Sequence, residues 1–110
     1  MTRTLLAILL AGALFLPLGA AAAPQDYAVI IKNHRFEPAE IIVPAGQKIK
    51  LVVDNQDATP EEFESHAMNR EKVIPGRSKA SIWIGPLNPG SYDFVGEYHE
   101  DTARGKVIAK

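Results

Sequence analysis

The sequence predicts an all-β protein, either a sandwich or a barrel of short strands. Proline and glycine recur at short intervals from Pro38 to Gly105, which leaves little room for helices of ordinary length. Between these breakers lie short β-rich runs, and two of them alternate strictly along the chain. Strict alternation indicates a strand with one buried and one solvated face. Many such strands with regular turn signals are typical of sandwiches and barrels.

Six strands are predicted, and their signals follow the chain in order. They cover residues 27–32, 40–43, 48–53, 78–84, 91–95 and 106–109. In the third, Ile49, Leu51 and Val53 share one face, and the fourth alternates in the same way. The acidic segment 56–70 fits this pattern least, and a segment of that length in a small domain is more often functional than idle. Within it, residues 61–68 form either one helical turn or a short strand, and the pattern does not choose.

The N-terminus predicts an export signal. Arg3 precedes an apolar run over residues 5–18, and small residues follow over residues 19–23. This order is that of a secretory signal peptide. The apolar run is shorter than the roughly 20 residues that a spanning helix needs, although an uncleaved anchor is the alternative. Cleavage after Ala22 removes residues 1–22 and leaves residues 23–110 as one domain outside the cytoplasm.

Composition excludes several classes of function. The chain carries 12 basic and 13 acidic residues, so no basic surface for nucleic acid is expected. It contains no cysteine. Disulfides, thiolate nucleophiles and sulfur-rich metal sites are therefore excluded.

Two polar clusters combine histidine with carboxylates. The first holds Glu61, Glu62, Glu64, His66 and Met68, and the second holds Glu97, His99, Glu100 and Asp101. Imidazole and carboxylate ligands suit Cu(II), Fe(II), Mn(II) or Zn(II). On spacing alone, a solvated acidic loop is the more common explanation of such a cluster, and metal binding stays open as the alternative.

A resemblance favours the metal. Residues 91–107 read SYDFVGEYHEDTARGKV and resemble the last metal-binding loop of the cupredoxins. In that loop a Tyr-x-Phe strand leads to a cysteine ligand, a histidine three residues later, a methionine, and then Gly-Lys-Val. Residues 36–46, FEPAEIIVPAG, resemble the opening strands of the same fold. The resemblance implies a cupredoxin-like antiparallel Greek-key β-sandwich.

Only some of the cupredoxin ligands have a matching residue in this chain. His99 matches the C-terminal histidine ligand, whereas Gly96 stands where the cysteine should be. Ala103 or Arg104 stands where the axial methionine should be. Without the thiolate, the resemblance implies that a type 1 blue-copper site is absent.

A narrower resemblance covers residues 63–66, 70–75, 84–90 and 96–99. These segments are similar to cysteine-free cupredoxin-like periplasmic proteins associated with bacterial ferrous iron uptake and iron permeases. The resemblance implies Glu64 and His99 as metal ligands, with His66 able to join them. Glu97 and Asp101 flank His99, and either can bind the metal or accept the imidazole N–H.

The expected function follows from that resemblance. A periplasmic protein would hold a copper or iron ion and act in iron uptake. It would either oxidise Fe(II), with copper as the one-electron acceptor, or deliver metal to a membrane iron permease or another periplasmic uptake component. The alternative is a metal-free cupredoxin-fold interaction module of a membrane transport complex.

Two further side chains are expected to play no part in the metal site. Met68 is predicted to lie in the core, because this position is often aliphatic in the similar sequences. His34 is remote in sequence from both clusters and is predicted to be a surface histidine.

Overall fold

The structure is a computed structural model that describes Gly12 and residues 26–110. This part of the chain contains nine β-strands. In chain order they are β1 (Asp26–Lys32), β2 (Arg35–Glu37), β3 (Glu40–Val43), β4 (Ile49–Asn55), β5 (Glu61–Ser65), β6 (Arg70–Ile74), β7 (Ser78–Ile84), β8 (Gly90–Gly96) and β9 (Arg104–Ala109). One turn of 3-10 helix, Glu97–His99, follows β8. The all-β class is confirmed, and the predicted signal peptide, residues 1–22, lies outside the described residues. Within residues 26–110, no helix is long and apolar enough to cross a membrane.

All six predicted strands are present, with bounds that shift by at most two residues. The strands β2 and β6 were not predicted, and β5 settles the ambiguous segment in favour of a strand. The acidic strand β5 was hard to recognise because Glu61, Glu62 and Glu64 put polar side chains on both of its faces. The strand β2 has only three residues and begins after a turn in which Asn33 and His34 adopt positive φ angles of 53° and 55°.

The strands form two facing sheets. One has the order β2-β1-β4-β7 and the other β3-β9-β8-β5-β6. Both sheets are mixed rather than purely antiparallel, because β1 pairs parallel with β4 and β3 pairs parallel with β9. Parallel neighbours need a crossover connection. The chain supplies one by passing through β3 in the opposite sheet before it returns as β4.

The core lies between the sheets. The alternation predicted for β4 is confirmed, since Ile49, Leu51 and Val53 are at most 1% exposed. Phe36 of the first sheet packs edge-on against Phe94 of the second, with ring centroids 4.8 Å apart. Met68 is buried in the same core, as predicted. Backbone pairing places β5 between β6 and β8, where the candidate site lies.

Candidate metal centre

The strand β5 carries carboxylates on both of its faces. Successive side chains of a strand point to opposite faces. Phe63 is a fully buried core residue, so Glu61 shares the inner face with it. Glu62 and Glu64 lie on the outer face. The two faces build two different constellations.

On the inner face, Glu61 pairs with His99. Oε2 of Glu61 lies 2.6 Å from Nδ1 of His99, and the carboxylate is buried. Oε1 accepts the backbone N–H of Glu62 at 2.8 Å and that of Tyr98 at 2.9 Å. Both oxygens of this buried carboxylate therefore have partners. This arrangement is called the Glu61–His99 pair below.

The imidazole of His34 stacks on that of His99. The ring centroids are 3.5 Å apart and the planes differ by 11°. The His34 carbonyl accepts the Thr102 hydroxyl at 2.6 Å, and its backbone N–H donates to Asp57 at 2.9 Å. The prediction of a surface histidine did not include this stack: His34 is half-buried, and the turn before β2 carries it across to the loop after β8.

The carboxylate of Asp57 holds this turn in place. It accepts the backbone N–H groups of Asn33 at 2.8 Å and His34 at 2.9 Å. Burial alone would raise the pKa of Asp57, but these two N–H groups lower it below its ordinary value.

The residues around the Glu61–His99 pair do not fit a type 1 copper ion. A Cβ atom added to Gly96 would lie 2.7 Å from the Glu61 carboxyl carbon and 2.6 Å from the Ala103 Cβ. Gly96 stands at the position that the resemblance assigns to the cysteine ligand, and Ala103 at one of the two positions open for the axial methionine; neither side chain offers a donor atom. The carboxylate of Glu61 fills the space where a cysteine side chain would stand, and it engages His99 directly. A thiolate copper site needs a cysteine, and the chain has none.

On the outer face, three carboxylates converge. One oxygen each from Glu62, Glu64 and Glu97 lies within 4.8 Å of the others. The register explains this, since Glu64 pairs with Val95 and Phe63 with Gly96, so that Glu97 comes level with Glu62. Glu71 of β6 stands directly opposite Glu64. Glu62, Glu64 and Glu97 are called the outer carboxylate cluster below.

Close contact between carboxyl groups marks this cluster. Contacts with the carboxyls of Glu71 and Glu97, together with burial, raise the pKa of Glu62 to about 7. Burial and the neighbouring Glu97 also raise the pKa of Glu64. Among residues 26–110, no lysine or arginine forms an ion pair with these carboxylates. The guanidinium of Arg70, the nearest in sequence, donates to backbone carbonyls instead.

The structure divides the residues predicted as metal ligands. Glu64 and Glu97 lie together in the outer carboxylate cluster, and the exposed His66 imidazole reaches Glu64, with Nε2 3.4 Å from Oε1. His99 lies with Glu61 on the other side of β5, so Glu64 and His99 do not share one site. Asp101 is exposed beyond the 3-10 turn and belongs to neither constellation.

Sequence inspection missed the roles of Glu61 and Glu62. Both were noted in the first cluster, but neither was distinguished from the other acidic residues. The available signal was Phe63: an aromatic residue that turns inward in a short strand sends Glu61 inward and Glu62 outward.

A two-sheet sandwich with a histidine loop after β8 defines a domain of cupredoxin type. The chain belongs to the cupredoxin-like domain family, which matches residues 5–109. This membership indicates a protein of the metal-binding or electron-transfer type, and the fold suggests copper, although this member has no cysteine.

One relative is close in sequence. An uncharacterized protein of Rickettsia prowazekii (strain Madrid E) is 44% identical over 83 residues, which cover 76% of this chain. The matched part spans 66% of the length of that protein.

Solved structures share the fold. Auracyanin A, a blue copper protein of Chloroflexus aurantiacus, superposes with a TM-score of 0.68 at 14% identity, over 80% of this chain and all of that one. Amicyanin of Paracoccus versutus gives 0.62 at 20% identity, over 83% of this chain and 87% of that one. A purple cupredoxin of Nitrosopumilus maritimus gives 0.60 at 17% identity, over 77% and 100%. At these identities the likeness concerns the fold alone.

Proposed function

We propose that this protein is an exported metal carrier that binds an iron or copper ion on the outer carboxylate cluster and delivers it to a membrane iron permease. The convergence of Glu62, Glu64 and Glu97, with oxygens within 4.8 Å of one another, carries the proposal. Export rests on the signal peptide predicted for residues 1–22. The role in iron supply rests on the resemblance of the sequence motifs to iron-uptake proteins.

A cation resolves the electrostatic conflict of the cluster. Like charges placed opposite each other on neighbouring strands destabilise a sheet. Glu62 is only 7% exposed, and its Oε1 atom has no hydrogen-bond partner among the described residues. A buried oxygen of this kind is costly unless it finds a partner. A bound metal ion would be that partner.

The donor set favours hard or borderline divalent ions. Carboxylate oxygens suit Mn(II) and Fe(II), and the nearby His66 offers a nitrogen that also suits Cu(II). The Irving–Williams order makes copper a strong competitor at such a site. Iron or copper is thus consistent with the ligands, and the supply in the periplasm would decide between them.

Calorimetric titration tests the proposal. The chain from residue 23 onward, which contains all nine strands, would be titrated with Mn(II), with Fe(II) under nitrogen, and with Cu(II). We expect one bound ion. We expect the double variant Glu62→Gln/Glu64→Gln to lose more than about 100-fold in affinity, because loss of a residue that only orients a metal ligand already costs about 10- to 100-fold.

Asp101→Asn is the matched control. Asp101 is an exposed carboxylate that follows the 3-10 turn carrying Glu97, and it does not belong to the outer carboxylate cluster. It should bind as the wild type does. Failure of the wild-type protein to bind any of the three ions would overturn the proposal and favour the metal-free interaction module. Equal affinity of the double variant and the wild type would place the metal elsewhere.

Aerobic Fe(II) oxidation separates the carrier from an oxidase. We expect the protein to leave the oxidation rate at that of the buffer, with and without added copper. A copper-dependent acceleration would replace the carrier function by Fe(II) oxidation.

A further inference from the structure

Glu61 is a buried carboxylate that the outer carboxylate cluster does not use. It is 1% exposed, and its partners are the backbone N–H groups of Glu62 and Tyr98 and the imidazole of His99. Glu62 belongs to β5, whereas Tyr98 and His99 belong to the 3-10 turn that begins with Glu97. The carboxylate therefore joins the two segments that supply the ligands.

This connection begins where the backbone ladder ends. β5 and β8 pair through Glu64 with Val95 and Phe63 with Gly96, and the described ladder stops there. Glu62 and Glu97 come next and are not paired with each other in the ladder between β5 and β8, although Glu62 pairs with Val73 of β6. The carboxylate of Glu61 takes up the N–H groups of Glu62 and Tyr98 at this point, in place of the missing strand pairing.

We infer that Glu61 is a positioning residue that sets the separation of Glu62 and Glu97 across the outer carboxylate cluster. The inference rests on the proposed function of that cluster. Glu61 acts beside Gly96, where an added Cβ atom would lie 2.7 Å from the Glu61 carboxyl carbon. Hydrogen bonds from the backbone of Glu62 and Tyr98 and from His99 to this carboxylate connect the loop to β5.

Two substitutions of Glu61 test the inference with Mn(II) as the probe. Glu61→Ala removes every bond of the carboxylate, and we expect the affinity for Mn(II) to fall by about tenfold or more, as for other partners that orient metal ligands. Glu61→Gln keeps an oxygen that can accept the N–H groups of Glu62 and Tyr98. It should recover most of the lost affinity.

A spectroscopic readout separates positioning from a general loss of structure. The electron paramagnetic resonance spectrum of bound Mn(II) reports the symmetry of its ligands. We expect a changed zero-field splitting in Glu61→Ala and a spectrum close to wild type in Glu61→Gln. Unchanged affinity and spectrum in Glu61→Ala would overturn the inference.

Ser65→Ala is the matched control on the same strand face. Its hydroxyl donates to the Asp93 carbonyl at 2.7 Å and accepts the Met68 N–H at 3.1 Å, so the substitution also removes buried hydrogen bonds from β5. It should leave Mn(II) affinity within about twofold, because it does not touch the turn that carries Glu97. A loss equal to that of Glu61→Ala would reduce Glu61 to a merely structural role.

The failures can be told apart. If the wild-type protein binds no Mn(II), Fe(II) or Cu(II), the proposed function fails and the inference falls with it. If the wild-type protein binds and Glu61→Ala binds equally well, only the inference fails. Hydrogen exchange of the Tyr98 amide in the metal-free protein gives a further check, since Glu61→Ala should accelerate it and Ser65→Ala should not.

Discussion

Glu61 on the inner face of β5 and Glu62 on its outer face are neighbours in the chain, but their carboxylates differ in hydrogen bonding. Glu61 is buried, yet two N–H groups and an imidazole satisfy both of its oxygens. Glu62 is buried almost as deeply, but its neighbours are other carboxylates, and one of its oxygens has no hydrogen-bond partner in the part of the chain that the structure describes. Burial therefore does not decide whether a carboxylate is structural or available to a ligand. The donors around it decide.

The largest difference between the faces should appear in stability. Glu61→Ala leaves two N–H groups and His99 without their acceptor, so the free energy of unfolding should fall by about 3 kcal/mol. Glu62→Ala in the metal-free protein removes one of several repelling carboxylates and should cost far less. Urea unfolding monitored by circular dichroism measures both. Equal losses in the two variants would show that the faces do not differ as described.

The pH dependence of stability should reveal the carboxylates of the outer face. The pKa of Glu62 is raised from its ordinary 4.5 to about 7, so the folded state holds its proton more tightly than the unfolded chain does. The resulting stabilisation is complete below pH 4.5 and is lost as the pH rises through about 7. The raised pKa of Glu64 acts in the same direction.

Glu62→Gln removes this titration. In the metal-free protein, the melting temperature of the variant should fall less than that of the wild type between about pH 5 and about pH 8. Glu40→Gln is the control, because Glu40 is an exposed carboxylate 4.0 Å from the Lys106 amine. It should follow the wild-type curve. Parallel curves for Glu62→Gln and the wild type would contradict the electrostatic account of the cluster.

The smallest effect should come from the stacked imidazole on the inner side. His34→Asn removes the ring but suits a positive φ of 55°, and it should lower the free energy of unfolding by about 1 kcal/mol. Arg77→Asn is the matched control, since Arg77 also has a positive φ, of 52°, and is exposed. Urea unfolding should show no loss there. A loss in Arg77→Asn as large as in His34→Asn would assign the effect to the turn rather than to the stack.

The fold was largely predictable from local patterns, and the site only in part. The breakers and the alternation of Ile49, Leu51 and Val53 are local signals, and they located six strands correctly. The parallel pairing of β1 with β4 was not predictable, because it depends on a crossover through the other sheet. The stacking of His34 on His99 was not predictable either, because no local sequence pattern indicates it. Turns far apart in the chain bring these two rings together.

Residues 61–64 show which features of the site the sequence determined and which depended on the tertiary structure. The residues themselves determined that an all-β domain without cysteine cannot hold a thiolate copper site, and that acidic residues and histidine concentrate in two segments of the chain. Only the folded structure decided which carboxylates face inward and which face one another. The physical reason is the two-residue period of a strand, which sends neighbours to opposite faces, so that the pairing of β5 with β6 and β8 selects the partners of each.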